Sequence, residues 1–257
     1  MSKRRIVLAV VTAVAGLAAV GIVAANPVHH AEVHTQSWSF NGFFGSFDQE
    51  QLKRGHVIYK DVCAGCHSMS LLAYRDLQDI GYTEDEVKAF AAEVQVEDGP
   101  NDAGEMFERP GRPSDRFKAP FPNEQAARAG NNGALPPDLS LMAKARAGAG
   151  FLGHDGADYL FSLMTMYKDP PAGVTIPEGM YYNEAFKGHQ IAMPPPLSDS
   201  EEAPLDQQAQ DIAAFLTWAA EGNLEERHRT GIKAILFLVI FTLLAYATKR
   251  KVWANVH

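Results

Sequence analysis

The chain has 257 residues, two cysteines and a net charge of −8. That length holds one large domain or two small ones. The mild acidity lacks the basic footprint of a nucleic-acid binder and favours a basic partner wherever the negative charge is clustered.

Lys3-Arg4-Arg5 is a basic n-region, residues 6–25 are apolar, and Val23-Ala24-Ala25 offers small residues for cleavage. This pattern predicts a secretory signal peptide over 1–25. An uncleaved N-terminal anchor is the other reading. Either one sends the following residues across a membrane.

Asp48 is a candidate N-cap with Gln51 as its capping-box partner. Leu52, Tyr59 and Val62 follow at helical spacing, and Gly55 leaves room for a second helix to cross. A helix over 48–62 therefore delivers Cys63-Ala64-Gly65-Cys66-His67. C-x-x-C-H is the attachment signature of a c-type haem. Two thiols three positions apart can each add to a vinyl group of one porphyrin, and the adjacent imidazole can ligate the iron. A thioredoxin-like redox pair would need a βαβ setting and no histidine. A zinc site would need a second close pair of ligands. The export signal agrees with haem attachment, and a single motif means one haem.

Residues 71–79 and 83–94 read as short helices, the second with a Thr83–Glu86 capping box. Residues 97–137, rich in Pro, Gly, Asn and charge, read as ordered loop with little regular structure. A short helix over 138–147 follows Pro136-Pro137, and the Gly- and Ala-rich segment 147–156 reads as a flexible insertion. Residues 157–166 form a helix with Tyr159, Leu160, Leu163 and Met164 on its apolar side. Residues 169–204 are mostly proline-studded loop. Residues 206–220 form an amphipathic helix carrying Ile212, Phe215, Leu216 and Trp218, expected to pack on the first helix. No run reads as a strand.

Residues 232–247 are apolar and are followed by Lys249-Arg250-Lys251 and Trp253. Their length suits a membrane span, and the basic stop predicts a cytoplasmic C-terminus. The expected fold class is mainly α: a class I cytochrome c-like haem domain with long loops, plus one C-terminal transmembrane helix. The expected organisation is a signal peptide over 1–25, a periplasmic haem domain over 26–229, an anchor over 230–249 and a cytoplasmic tail over 250–257.

A haem iron that cycles electrons needs a sixth ligand, and methionine raises the potential relative to histidine. Most methionines fill cores; Met142, Met164 and Met166 sit at helical positions, and Met69 is too close to His67. Met193 heads the stiff Met193-Pro194-Pro195-Pro196-Leu197 loop; this pattern, together with the family resemblance described below, makes it the preferred ligand. Met180 is the second candidate, and His189 would make a bis-histidine haem.

Several stretches together carry a family resemblance. They are Asp98-Gly99-Pro100-Asn101, Gly104-Glu105-Met106-Phe107-Glu108-Arg109-Pro110-Gly111, Asn131-Asn132-Gly133-Ala134-Leu135-Pro136-Pro137-Asp138-Leu139-Ser140, Asp158-Tyr159-Leu160-Phe161-Ser162-Leu163, the Met193 loop and the C-terminal anchor. From about Trp38 to Trp253 the chain resembles the cytochrome c1 family, the haem subunit of ubiquinol–cytochrome c oxidoreductase (the bc1 complex). The resemblance implies that Arg146 pairs with a haem propionate, that Tyr159 lies at the haem edge, and that Asn131, Asn132, Pro136 and Pro137 line the His67 side. It implies cytochrome b and Rieske iron–sulfur partners, a soluble cytochrome c acceptor, a dimeric complex and a bacterial inner-membrane location. On this reading the chain is an electron-transfer subunit and no enzyme by itself. The chain departs from the compact family pattern at 147–156, and it has no cysteines for an extra disulfide. Acidic residues dominate between Asp76 and Glu108, with Glu201 and Glu202 beyond; such surface near a haem edge would steer a basic cytochrome.

Overall fold

The computed structural model describes residues 33–148, 155–201 and 203–255. The segment expected to be a signal peptide, most of the insertion expected over 147–156, and Glu202 lie outside the described residues.

Helix α1 (Gln49–Asp61) starts where the Asp48 carboxylate accepts hydrogen bonds from the amides of Glu50 and Gln51. This satisfies two orphan donors of the first turn. Helix α6 (Leu205–Ala220) crosses α1 at Gly55. A β-carbon at Gly55 would sit 2.2 Å from the Asp211 carbonyl oxygen and 2.6 Å from the Phe215 β-carbon. Only glycine permits this approach. Beside the crossing, the Arg54 guanidinium grips the buried Asp211 carboxylate through Nε at 2.7 Å and Nη2 at 3.0 Å, and Gln207 donates to the same carboxylate at 2.8 Å. The expected packing of first against last domain helix is present, and its core contains Leu52, Tyr59, Ile212 and Phe215. Full burial of each such side chain contributes about 1.5–3 kcal/mol.

Between these helices the chain forms a 3-10 turn (Cys63–Gly65), a 3-10 helix (Tyr74–Ile80), α2 (Glu84–Ala92), α3 (Glu124–Gly130), α4 (Met142–Arg146) and α5 (Gly156–Thr165). The Thr83–Glu86 capping box opens α2 with both reciprocal bonds made. The short helix expected over 71–79 is present as the 3-10 helix, starting three residues later and closed by Gly81 at φ +92°. The helix expected from 138 starts only at Met142, because the Asp138 side chain turns onto the Ser140 amide at 2.8 Å. Gly156 is packed tightly: a β-carbon there would lie 1.7 Å from the Ala143 carbonyl, so α4 and α5 meet without room for a side chain.

The expectation of no strands is corrected. Strands β1 (Gln95–Asp98) and β2 (Phe107–Pro110) form an antiparallel hairpin with Glu97 opposite Glu108. Strands β3 (Tyr181–Tyr182) and β4 (Gln190–Ile191) make a second, minimal pair. α3, capped by the Asn123 side chain, also interrupts the segment expected to be loop. The first hairpin lacks apolar alternation. Arg109 pins it instead, bridging Asp98 and, through Nη1 at 2.6 Å, Asp115.

Trp38 Nε1 donates to the buried Asp158 carboxylate at 2.8 Å, and the Gln36 amide donates to it at 2.9 Å, tying the start of the described chain to α5. At the other end, α7 (Leu224–Val252) is one unbroken helix. It begins with Leu224 buried in the domain core and ends in a stretch long and apolar enough to cross a membrane, none of it buried. Charged residues 225–229 conceal in sequence that the helix has already begun.

Candidate functional site

α1 runs directly into the Cys63–Gly65 turn, in which the amides of both Cys66 and His67 donate to the Cys63 carbonyl, at 3.1 and 2.9 Å. Cys63 is half-buried and packed against the core, Cys66 is exposed, and both thiols are free. Burial, then neighbouring Cys66, pushes the Cys63 thiol up to about 12. A thiol held so far above neutrality is the opposite of an activated redox nucleophile.

His67 Nδ1 lies 2.8 Å from the Pro137 carbonyl oxygen. As a donor to that carbonyl, Nδ1 carries the proton and Nε2 keeps its lone pair. Burial lowers the His67 pKa, which the Pro137 carbonyl and Asp138 oppose, so the neutral, ligating ring is favoured at pH 7. The Tyr59 hydroxyl donates to the His67 carbonyl at 3.3 Å. The Asp138 carboxylate accepts from Ser68 Oγ at 2.9 Å, from the Ser70 amide at 2.8 Å and from the Ser140 amide. Partial burial opposes ionisation, but these donors prevail and hold Asp138 down at about 2. Asp138 thus staples the motif loop to the loop that carries Pro137. Sequence reading missed this residue, although Pro-Asp-x-Ser is a recognisable Asx-turn signal.

The predicted site residues fall in several places. Pro137 meets His67 directly, with half-buried Pro136 preceding it. Asn131 is half-buried at the end of α3, where its amide donates to the Ala127 carbonyl at 2.7 Å, and Asn132 is exposed in a left-handed conformation at φ +51°. Arg146, at the end of α4, is brought close enough to Tyr159 on α5 for its charge to counter the upward push of burial on the phenol. Met193 follows β4, is partly buried, and packs on the core that also receives Cys63. The Tyr167 hydroxyl donates to the Met193 carbonyl at 3.0 Å. Met180 lines an open cleft of about 490 Å³ with Tyr167, Tyr181, Tyr182 and Pro195, the last from the Met193 loop. The His189 ring is engaged elsewhere: it packs on Tyr182 with centroids 5.6 Å apart, and its Nδ1 lies 3.3 Å from the Asn183 carbonyl. Tyr59 and Tyr167 were also missed, since a hydroxyl that bonds a backbone carbonyl leaves no sequence pattern.

The donor set fits a c-type haem: two free thiols on one turn, a neutral imidazole with Nδ1 tethered, and an adjoining Gly65 with open space at its β-carbon position. Crossed first and last domain helices, with this turn at the end of the first, make the molecule a c-type cytochrome. A profile of the Cytochrome C1 family matches residues 38–256. A Solanum tuberosum protein named cytochrome c1-2, heme protein, mitochondrial, is 50% identical over 233 residues, spanning 88% of this chain and 87% of that protein. Cytochrome c1 of Rhodospirillum rubrum is 42% identical over 247 residues, spanning 87% and 88% respectively. Cytochrome b/c1 of Bradyrhizobium diazoefficiens is 49% identical over 242 residues, 86% of this chain but only 35% of that longer protein. The chain belongs to the cytochrome c1 family, whose members are the c-type haem subunit of the bc1 complex.

Proposed function

We propose that the chain relays single electrons from the Rieske iron–sulfur protein to a soluble cytochrome c within a bacterial ubiquinol–cytochrome c oxidoreductase. The observation that carries the reading is the tethered His67 ring at the end of the Cys63–Cys66 turn. Haem c, when bound, supplies a one-electron iron couple. Cys63 and Cys66 would hold it covalently, and the His67 imidazole and the Met193 thioether would ligate its iron. Pro137 fixes the tautomer and orientation of His67, and Tyr167 holds the Met193 backbone. Side chains held in this way would reorganise little when a bound iron changes charge. Met193 is favoured over Met180 by its packing on the same core as Cys63, and over His189 by that ring's contacts with Tyr182 and Asn183.

Arg146 and Tyr159 would serve the propionate edge, where a guanidinium suits a carboxylate. Asn131 and Pro136 would line the His67 side. α7 anchors the chain, with the haem domain in the periplasm and Lys249-Arg250-Lys251 on the cytoplasmic side. Cytochrome b and the Rieske protein complete the assembly, which is a dimer of complexes. The subunit carries electrons and performs no chemistry of its own.

Purification from membranes tests this assignment. A dihaem cytochrome b and a Rieske protein should co-purify with the chain, and ubiquinol should reduce its haem through them. A haem-loaded chain that purifies without either partner, or that quinol cannot reduce, contradicts it.

A further inference from the structure

The loop before α1 carries a feature that the haem site does not use. Phe40 is buried, 5.4 Å from the Trp38 ring and 5.0 Å from that of Phe47. Phe43 and Phe44, three and four residues on, stand outside the core, 52% and 82% exposed. The loop is firmly closed. The Ser46 amide donates to the Ser39 carbonyl at 3.1 Å, and a β-carbon at Gly45 would lie 2.2 Å from the Phe40 carbonyl. The two rings stack edge-to-face at 5.1 Å, as one apolar knob.

This knob sits against α7 at a definable height. The Phe47 amide donates to Glu225 at 2.9 Å, and His228 Nδ1 lies 3.4 Å from the Gly45 carbonyl. Phe43 and Phe44 share a cleft of about 240 Å³ with His228, Arg229 and Ile232. A hydrocarbon layer of about 30 Å takes roughly 20 helical residues. Counting that distance back from the basic stop at Lys249 reaches the neighbourhood of Thr230, between His228 and Ile232. The exposed phenylalanines are therefore level with the layer boundary, where aromatic side chains partition favourably. Beside them Arg229, in an exposed pair with Glu226 at 3.4 Å, presents a guanidinium that suits a phospholipid phosphate.

We infer that Phe43 and Phe44 insert into the outer-leaflet interface as a second membrane contact, fixing the height and tilt of the haem domain on its anchor. The inference rests on the reading of α7 as a membrane span. Single-span attachment alone leaves a domain free to rock; a rigid loop bonded to the helix and seated in lipid restrains it.

Photo-crosslinking tests it. The full-length haem-loaded chain is placed in vesicles of phosphatidylethanolamine and phosphatidylglycerol, with p-benzoylphenylalanine replacing either Phe44 or Val239 on α7. Mass spectrometry should find phospholipid adducts at both positions. Lipid adducts at Val239 with none at Phe44, or adducts of Phe44 to protein only, overturn the inference while leaving the span intact. Absence of lipid adducts at Val239 removes the span reading and the inference together. The Phe43→Ser/Phe44→Ser variant should keep the wild-type haem spectrum and denaturation midpoint. A large loss of midpoint would mean that the knob serves folding instead.

Discussion

His67 Nδ1 lies 2.8 Å from the Pro137 carbonyl, and Asp138, the next residue, bonds Ser68, the residue after the histidine. The imidazole and the strand of chain that orients it are thus clamped twice, once through the ring and once through a carboxylate. The clamp predicts that Asp138→Ala frees the Ser68 and Ser70 donors and loosens both loops. The expected cost is about 1–3 kcal/mol, together with faster binding of external ligands such as cyanide to the haem. Wild-type stability and exchange rates in this variant would remove the clamp. The same carboxylate has its pKa lowered in the folded state, to about 2. Its contribution is therefore full above the ordinary aspartate range and is lost as pH falls from about 4 toward about 2. An Asp138→Asn variant should show a flatter stability profile across that window.

A second acid-sensitive group lies in the helix crossing. His56 is buried against Tyr82, Phe90 and Phe215, and burial, with the nearby Lys60 charge, lowers its pKa from 6.5 to about 4. Between those values the unfolded chain binds a proton that the folded chain does not. Stability is therefore complete above about 6.5 and falls as pH drops to about 4, by roughly 3 kcal/mol. Denaturant midpoints from pH 7 to pH 4 for wild type and His56→Gln check this. The variant should lose most of the slope even if it is less stable throughout.

Gly55→Ala should disrupt the crossing of α1 and α6. The added carbon meets backbone, the Asp211 carbonyl, which cannot rotate away. Overpacking of this kind costs about 1–3 kcal/mol or more. The reading predicts a lower unfolding midpoint and a haem that is less securely held, measurable by thermal melts of the haem spectrum. An unchanged melt would mean that the helices separate without cost.

Glu97 and Glu108 face each other across the first hairpin, both exposed. Like charges at directly opposed positions disfavour folding, so a gain in association with a basic partner would offset them. Stopped-flow oxidation by a basic cytochrome c should slow steeply as ionic strength rises. The Glu97→Gln/Glu108→Gln pair should reduce both the low-salt rate and the salt slope, while raising stability slightly. A flat salt profile for the wild type would remove electrostatic steering. Several other acidic residues in this region are already matched by cations: Glu93 by Lys60, Glu84 and Asp85 by Lys88, and Asp98 by Arg109.

The parts of this molecule that were legible in sequence are those written in contiguous or periodic residues. Asp48, the heptad-like spacing through Tyr59, and the aromatic face around Phe215 announce two packed helices. Cys63, Cys66 and His67 stand together and announce the haem. The hairpin was invisible because its stability comes from Arg109 bridging Asp98 and Asp115, residues apart in sequence and polar throughout. Asp138 looked like a helix start because aspartate favours N-caps; here its side chain serves an Asx turn and the neighbouring motif loop instead. The approach of Arg146 to Tyr159 has no local signal, since it depends on how α4 packs on α5, and only family resemblance pointed to either residue.

Redox titration of the Met193→Leu variant beside Met180→Leu decides which methionine serves the iron. Both variants should keep haem on the chain after denaturing electrophoresis, and Met193→Leu alone should lose the thioether–iron absorption band and drop in midpoint potential. A Met193→Leu protein with the wild-type spectrum and potential, or the same loss in Met180→Leu instead, would contradict the assignment of Met193.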